Sequence, residues 1–180
     1  MSPALIKWLA RVALGCALLA CIPGWADEAQ PGGNEKELKV AFLYNFALFT
    51  EWPPEVGSTL TFCILGADAF GAEIEALQGK SVAGHSTVVV RKGLGDSLKS
   101  CQVVFIGAKA MASLPRVLDE LRDRPVLTVA DSMGAARAGV ALNMVEVRNK
   151  ITFEANLLAV RAARLKLSSK LLRLATEIYQ

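Results

Sequence analysis

The chain has 180 residues, of which 53% are hydrophobic and 21% are charged. Twenty Lys and Arg residues stand against 17 Asp and Glu residues, so the formal net charge is only +3. This length and balance indicate one globular domain, and they exclude a largely disordered chain and a strongly basic nucleic-acid-binding protein. With one histidine and four cysteines, the chain has few ligands for zinc, and we predict no metal or cofactor site.

The N-terminal 26 residues have the pattern of a secretory signal peptide. Lys7 and Arg11 supply the positive start, and an apolar run follows at residues 12–22. Small residues then stand three and one positions before the predicted cleavage site, which lies after Ala26. The apolar run is shorter than the roughly 20 residues that a membrane-spanning helix requires, so cleavage is favoured over a membrane anchor.

Lipidation is the alternative fate of this N-terminal region, because the residues before Cys21 resemble a bacterial lipobox. The leucine before Ala20 is atypical of that motif. We therefore expect export to the periplasm with cleavage after residue 26. The remaining chain is predicted to comprise a flexible leader at 27–34 and a single domain at 35–180.

Short apolar runs alternate with helical patterns along this domain. We predict helices at 35–52, 72–77, 114–121 (capped by Ser113), 157–165 and 168–178, and strands at 60–65, 87–91, 103–106, 126–129, 140–147 and 151–153. Apolar strands that alternate with helices predict a three-layer α/β fold, with a mostly parallel sheet of about five or six strands and helices on both faces. The turn at Arg148–Lys150 predicts an antiparallel edge hairpin.

Three of the predicted strands end in residues suited to a binding site. Gly66, Gly107 and Asp131 follow the strands at 60–65, 103–106 and 126–129. In open α/β sheets, ligands bind outside the carboxyl ends of the strands. This edge of the sheet is therefore the expected place for any ligand.

Cleavage of the signal peptide leaves two cysteines, Cys63 and Cys101. An even number of cysteines in an oxidising compartment predicts a disulfide. Two buried free thiols are the alternative. The bridge requires the first and third strands of the domain to be neighbours.

Two short motifs suggest catalysis, but neither is complete. Residues 95–98 spell the GDSL esterase motif, yet His85, the only histidine, precedes Ser97 instead of following it near the C-terminus. Gly93 and Gly95 begin a dinucleotide-binding pattern whose third glycine is missing. We therefore predict that the protein is not an enzyme.

The C-terminal stretch carries a cluster of positive charge. Five cations and no acidic residue occur at 161–173, namely Arg161, Arg164, Lys166, Lys170 and Arg173. One explanation is a core helix with a solvated basic face. The other is a docking surface for an acidic partner, a phosphate-bearing ligand or an anionic membrane.

The helix at 35–52 is equally open to two interpretations. Its aromatic residues, among them Tyr44, Phe46 and Trp52, form either part of the core or a surface for dimer or partner packing, where aromatic side chains are enriched.

Together these segments resemble the YfiR-like periplasmic regulators, a family often described as a domain of unknown function. The resemblance covers residues 37–175. Its blocks are KVAFLYNFA at 39–47, EWP at 51–53, FCILG at 62–66, FG at 70–71, CQVVFIG at 101–107, VLTV at 126–129, FEANL at 153–157 and LSSKLL at 167–172.

The resemblance implies an exported α/β protein that forms homodimers and is not an enzyme. The best understood members repress a membrane-bound diguanylate cyclase by binding its periplasmic part, and release of this repression raises cyclic di-GMP and promotes biofilm formation. Cys63 and Cys101 match one cysteine pair of the family. A second pair, found in some members near 140–153, has no counterpart here, so a redox mechanism that depends on it is in doubt.

We expect the partner-binding surface to contain the polar residues at and after the predicted second hairpin strand, namely Glu154, Asn156, Arg161, Lys166, Ser168 and Lys170. Tyr44, Phe46 and Trp52 are the expected residues for dimer or partner packing. A small-ligand-binding sensory module, which would bind an aromatic or anionic metabolite at the strand ends, is the alternative function. No nucleic-acid partner is expected.

Overall fold

The computed structural model describes residues 31–66 and 69–180, with side chains from residue 35 onward. The predicted signal peptide and residues 27–30 of the predicted leader lie outside these ranges. The last four residues of that leader, 31–34, belong to the first helix.

The helices of the described chain are α1 (Pro31–Leu48), α2 (Leu114–Glu120), α3 (Leu157–Ala162) and α4 (Ser169–Leu172). The strands are β1 (Thr50–Glu51), β2 (Thr59–Leu65), β3 (Ser81–Val82), β4 (His85–Lys92), β5 (Val103–Ile106), β6 (Leu127–Ala130), β7 (Leu142–Val147), β8 (Lys150–Asn156), β9 (Lys166–Leu167) and β10 (Glu177–Tyr179). Short 3-10 helices occupy Pro54–Val56, Gly71–Leu77 and Ala108–Ser113.

The main sheet has eight strands in the order β10-β8-β7-β6-β5-β2-β4-β3. Five neighbouring pairs are parallel, and the β7–β8 and β3–β4 pairs are antiparallel. A separate antiparallel ladder joins β1 to β9. The α/β class and the mostly parallel sheet are therefore confirmed, although the sheet has more strands than predicted.

The C-terminal residues account for part of this difference. The predicted helix at 168–178 ends at Leu172, and Glu177–Tyr179 form β10, which pairs with β8 in parallel. The backbone N–H and the side-chain hydroxyl of Thr176 both donate to the carbonyl of Phe153, which directs the chain onto β8. The predicted antiparallel hairpin of β7 and β8 is confirmed, but it does not lie at the edge of the sheet, because β10 lies outside β8.

Two apolar clusters lie on opposite faces of the sheet. Phe62 and Ile64 of β2 belong to the cluster under α1, whereas Cys63 and Leu65 belong to the cluster that contains residues of α2. This division follows from the alternation of side chains along a strand. Helices therefore pack on both faces of the sheet at β2, as the sequence predicts.

The cluster under α1 contains a group of three aromatic rings. The rings of Phe46 and Phe153 are 5.0 Å apart between centroids and meet edge to face, and Phe42 contacts both. Phe46 and Phe153 are fully or almost fully buried. These contacts fix α1 against β8.

The predicted disulfide between Cys63 and Cys101 is confirmed, with Cα atoms 5.8 Å apart. It joins β2 to the segment just before β5, which is the strand that pairs with β2. Both residues are buried in the cluster on the α2 face. The alternative of two free thiols is therefore wrong.

Side chains at the helix and hairpin ends explain several boundaries. Arg148 and Asn149 both have positive φ angles and form the two-residue turn between β7 and β8. The side chain of Asn156 caps α3, and that of Ser168 caps α4. Ser113 precedes α2 but makes no capping hydrogen bond, so its predicted role is wrong.

Candidate functional site

Two of the three strand ends that the sequence singles out are closed. A methyl group added to Gly66 would lie 3.1 Å from Cβ of Ala110, because the 3-10 helix Ala108–Ser113 packs directly over the end of β2. The N–H of Gly107 donates to the carbonyl of Leu65 and is thus used within the fold. This part of the sheet edge leaves no room for a ligand at Gly66 unless the chain moves.

The third strand end, at Asp131, opens on a cleft of about 640 Å³. The cleft lies between the N-terminal half of α1 and the β7–β8 hairpin, and its lining includes Leu38, Met144 and Ile151. Glu146 and Lys150 of the hairpin also line it. The cleft therefore combines apolar walls with charges of both signs.

Lys39 is the central charge of this cleft. Its Nζ donates to Oδ2 of Asp131 at 2.9 Å and lies 2.8 Å from Oε1 of Glu35. Burial alone would lower the pKa of Lys39, but hydrogen bonds to Glu35 and Asp131 outweigh burial and raise it. The hydrogen bond from Lys39 lowers the pKa of Glu35. Lys39 is therefore cationic and Glu35 anionic at neutral pH.

A second polar arrangement lies on the opposite face of the β7–β8 hairpin. Met144 and Phe153 point into the core, whereas Val145, Thr152 and Glu154 on the other face are only half-buried. Among the described residues, the apolar cluster on the α2 side of the sheet includes no residue of β7 or β8. We call this exposed side of β7, β8 and β10 the open face.

Hydrogen bonds connect the polar side chains of the open face. Asn143, which is fully buried, donates through Nδ2 to Oε2 of Glu154 at 3.1 Å and accepts from the N–H of Ser132. The Tyr179 hydroxyl donates to the other Glu154 oxygen at 3.4 Å. Both carboxylate oxygens of Glu154 are thereby occupied.

Arg137 completes this network at the surface. Its Nε donates to the Tyr179 hydroxyl at 3.1 Å, its terminal NH2 group pairs with Glu177 at 3.3 Å, and the guanidinium lies 5.4 Å from the Tyr179 ring centre. The hydrogen bond to Tyr179 raises the pKa of Arg137. The same bond alone would lower the pKa of Tyr179, but desolvation and the carboxylates of Glu177 and Glu154 outweigh it and raise that pKa. Arg137 is therefore cationic and Tyr179 protonated at neutral pH.

The residues predicted for partner binding differ in their roles within the fold. Glu154 belongs to the network of the open face. Asn156 is buried and uses its amide to cap α3 and to bond the carbonyl of Ala136, and Ser168 caps α4. These two residues therefore stabilise the local fold.

The predicted cations are exposed at the surface. Arg161, Lys166 and Lys170 are exposed, and within residues 31–66 and 69–180 their side chains have no hydrogen-bond or ion-pair partner. Arg164 differs, because it pairs with Glu55 at 3.1 Å and donates to the carbonyl of Asp123. The cations thus remain available for binding, apart from Arg164.

The aromatic residues predicted for dimer packing occupy two kinds of position. Phe46 is fully buried, so the core explanation holds for it. Tyr44 and Trp52 are half-buried, and each donates a side-chain hydrogen bond, to the carbonyls of Ser81 and Ala47 respectively. Of these three residues, only Tyr44 and Trp52 have solvent-exposed surface that a partner could contact.

Sequence analysis missed Lys39, Arg137, Asn143 and Tyr179. The pairing of Lys39 with Asp131 and that of Arg137 with Tyr179 join residues that are distant in the chain, and Tyr179 lies just beyond the segment predicted as the last helix. An asparagine inside the apolar run at 140–147 is the one available signal, since a buried amide requires hydrogen-bonding partners.

The incomplete catalytic motifs have structural partners. Ser97 lies 3.3 Å from Glu120, Asp96 accepts from the N–H of Gly93, and Nδ1 of His85 lies 2.7 Å from the carbonyl of Gly57. Among the described residues, no three His, Cys, Asp or Glu side chains are grouped as a metal site requires. No helix in that part of the chain is both long and apolar enough to cross a bilayer.

Comparisons with known proteins place this fold in a family. A family model described as YfiR/HmsC-like matches residues 36–176. A solved structure of a conserved domain protein from Vibrio cholerae is similar, with 9% sequence identity and a TM-score of 0.49 over 79% of this chain. The match spans 60% of the length of that protein. From the family match, which extends from α1 to the residue before β10, we conclude that the chain belongs to the YfiR/HmsC-like family, whose domain is regulatory and not catalytic.

Proposed function

We propose that this protein is a periplasmic regulator that represses a membrane-bound diguanylate cyclase by binding the part of the cyclase outside the cytoplasm. Repression would lower cyclic di-GMP and limit biofilm formation. The match of the YfiR/HmsC-like family model to residues 36–176 is the observation that carries this proposal. Regulation by contact needs a binding surface, and it needs no catalytic group.

The open face supplies a suitable surface for such a partner. Arginine, tyrosine and methionine are enriched at protein interfaces. Arg137 and Tyr179 are held in place by the network around Glu154, and Met133, in the segment after β6, is fully exposed. Side chains that are already ordered lose less entropy on binding. We assign Glu154, from the predicted set, to this contact together with Arg137 and Tyr179.

The mechanism is a shift in the population of the cyclase. If the regulator binds the inactive conformation more tightly than the active one, binding favours the inactive conformation. The size of the shift depends on the ratio of the two affinities and not on the tighter affinity alone.

A comparison of two arginine variants tests this proposal. The change Arg137→Ala removes the arginine that we assign to the partner contact on the open face. The control change Arg122→Ala removes an exposed arginine that, among the described residues, forms an ion pair only with Asp119, three residues before it in the chain. We expect Arg122→Ala to bind the extracytoplasmic part of the cyclase and lower cellular cyclic di-GMP like the unchanged protein. Arg137→Ala should lose both effects. If no cyclase is recovered from membranes with either the oxidised or the reduced protein, the proposal is wrong.

A homodimer is also part of the proposal. Tyr44 and Trp52, on α1 and just after β1, are the half-buried aromatic residues that could pack against a second copy. Sedimentation equilibrium of the exported protein tests this. A Trp52→Ala variant should shift the equilibrium toward monomer, whereas a monomeric unchanged protein would contradict the dimer.

A small-ligand sensor is the second candidate function, and the cleft at Asp131 favours it. The cleft has apolar walls and the Lys39–Asp131 ion pair at the carboxyl end of β6. A ligand that binds only the folded protein raises its melting temperature. A metabolite that raises the melting temperature of the unchanged protein, but not that of Lys39→Met, would support this candidate.

A further inference from the structure

Four exposed cations occur within thirteen residues of the chain after β8, and no acidic residue lies among them. Arg161 of α3, Lys166 of β9, Lys170 of α4 and Arg173 just after α4 are exposed, and none has a side-chain hydrogen-bond or ion-pair partner among the described residues. Some other cations of the described chain are paired, among them Lys39, Arg122 and Arg137, and the unpaired ones, such as Lys99 and Lys109, are not grouped in an acid-free stretch of this kind. We call these four residues the cationic surface.

Few acidic side chains are close to the cationic surface in the chain or across a strand pair, and most of these are paired with other residues. No acidic residue occurs between Glu154 and Glu177, and these two belong to the network of the open face. Glu55 is paired with Arg164. Glu51 lies opposite Lys166 in the β1–β9 ladder and can offset one charge. Asp123, whose carbonyl accepts from Arg164, is one further acidic residue in this neighbourhood, so part of the positive charge of the four residues remains uncompensated.

Exposed leucines accompany these cations. Leu158, which is 58% exposed, precedes Arg161 by three residues on α3, so the two share one side of the helix. Leu174 is 69% exposed and directly follows Arg173. Single exposed leucines are ordinary, but leucines interspersed with unpaired cations are typical of protein surfaces that bind at the boundary between lipid headgroups and acyl chains.

We propose that the cationic surface, with Leu158 and Leu174, binds the surface of a bilayer that contains anionic phospholipid. The phosphodiester groups of the lipid would attract the four cations, and the leucines would enter the headgroup region. An acidic protein is the other possible occupant, but recognition of carboxylates favours arginines held in a fixed orientation, as Arg137 is. Arg161 and Arg173 have no side-chain partners among the described residues that would hold them in one orientation, and lysine acts as a point charge without a preferred geometry. This arrangement favours a lipid surface over an acidic protein.

The proposal concerns lipid binding alone and does not require the cyclase. Each cation near an anionic surface increases partitioning by roughly fivefold, which is the factor equivalent to about 1 kcal/mol. Reversing two charges should therefore reduce partitioning by at least about 25-fold. Binding should weaken with salt, because screening shortens the range of the field.

Flotation of the purified exported protein with lipid vesicles tests the proposal. We expect it to float with vesicles of phosphatidylcholine containing about 30% phosphatidylglycerol, but not with pure phosphatidylcholine, and to be released at about 0.5 M salt. The double variant Lys166→Glu/Lys170→Glu should lose at least about 25-fold in partitioning. The matched control, Lys99→Glu/Lys109→Glu, reverses two exposed lysines outside the cationic surface and should bind like the unchanged protein. Thermal unfolding verifies that both variants fold.

Several outcomes would overturn the proposal. Equal flotation with both kinds of vesicle, or an equal loss in the control variant, would show that the cationic surface does not determine binding. Displacement from vesicles by inorganic phosphate at a salt concentration that otherwise permits binding would indicate a phosphate site instead of a bilayer surface. If Lys166→Glu/Lys170→Glu retains vesicle binding but loses the cyclase, the surface binds an acidic protein. Because vesicles contain no cyclase, failure of this proposal is distinct from failure of the proposed function.

Discussion

Asp131 and Lys39 form an ion pair across 92 residues of the chain, with Nζ of Lys39 2.9 Å from Oδ2 of Asp131. Asp131 directly follows β6, in the middle of the sheet, and Lys39 lies on α1. Their side chains are only 13% and 17% exposed. The pair therefore joins the end of a central strand to the helix that covers one face, at the point where the sequence suggests a ligand.

Loss of this ion pair should destabilise the protein. Lys39→Met keeps most of the side-chain volume but leaves Asp131 without a counter-ion, and an unpaired, mostly buried group costs about 1–3 kcal/mol. Urea denaturation measures the change. Lys109→Met, at an exposed position, should alter the free energy of unfolding by less than about 0.5 kcal/mol. Equal stability of Lys39→Met and the unchanged protein would contradict the predicted role.

The stabilisation from Lys39 should depend on pH in a defined window. The pKa of Glu35 is lowered from 4.5 in the folded state, so its contribution is present above that value and is lost as pH falls through the folded pKa. The pKa of Lys39 is raised from 10.5, so its contribution is present below that value and is lost as pH rises through the folded pKa. The difference in free energy of unfolding between the unchanged protein and Lys39→Met should therefore be largest at pH values between the pKa of Glu35 and the pKa of Lys39.

Urea denaturation at several pH values measures this difference, with Glu35→Gln as the control. That variant should lose less stability in acid than the unchanged protein, because it lacks the carboxylate that becomes protonated. A stability difference that stays constant from acid to alkaline pH would rule out this electrostatic explanation.

The buried disulfide should act as a structural constraint and respond slowly to reductants. Cys63 and Cys101 enclose a loop with a sequence separation of 38 residues. On the chain-entropy model, Cys63→Ala/Cys101→Ala should lower the free energy of unfolding by about 4 kcal/mol. Because both cysteines are buried, thiol labelling after addition of a reductant should be slow in native buffer and fast in urea. Fast labelling in native buffer would instead indicate a redox-responsive bond.

The three-ring group should contribute strongly to stability. Phe46→Ala removes a fully buried ring that contacts Phe42 and Phe153, and such a change costs about 3–5 kcal/mol. Leu174→Ala, at a side chain that is 69% exposed, should cost less than about 0.5 kcal/mol. Thermal and urea unfolding compare the two variants. A small effect of Phe46→Ala would mean that α1 is not fixed by this contact.

The local pattern of the sequence was sufficient for most of the sheet. The strand at 103–106 and the hairpin turn near residue 149 follow from buried β-branched runs and from residues that tolerate positive φ. The disulfide followed from the count of cysteines in the exported chain. The strand and the turn are encoded by residues that are close in sequence. The disulfide has only one possible pairing, because two cysteines remain after cleavage of the signal peptide. These features can therefore be predicted from the sequence without knowledge of the fold.

Tertiary structure alone decided which polar groups meet. The segment 168–178 has helical spacing, but the free edge of β8 gives Glu177–Tyr179 backbone partners, and the end of that helical pattern becomes β10. This pairing places Tyr179 beside Glu154 and Arg137. In the same way, the packing of α1 brings Lys39 to Asp131. Hydrogen bonds and ion pairs between distant residues depend on distances that only the folded chain sets, and periodicity along the sequence carries no record of them.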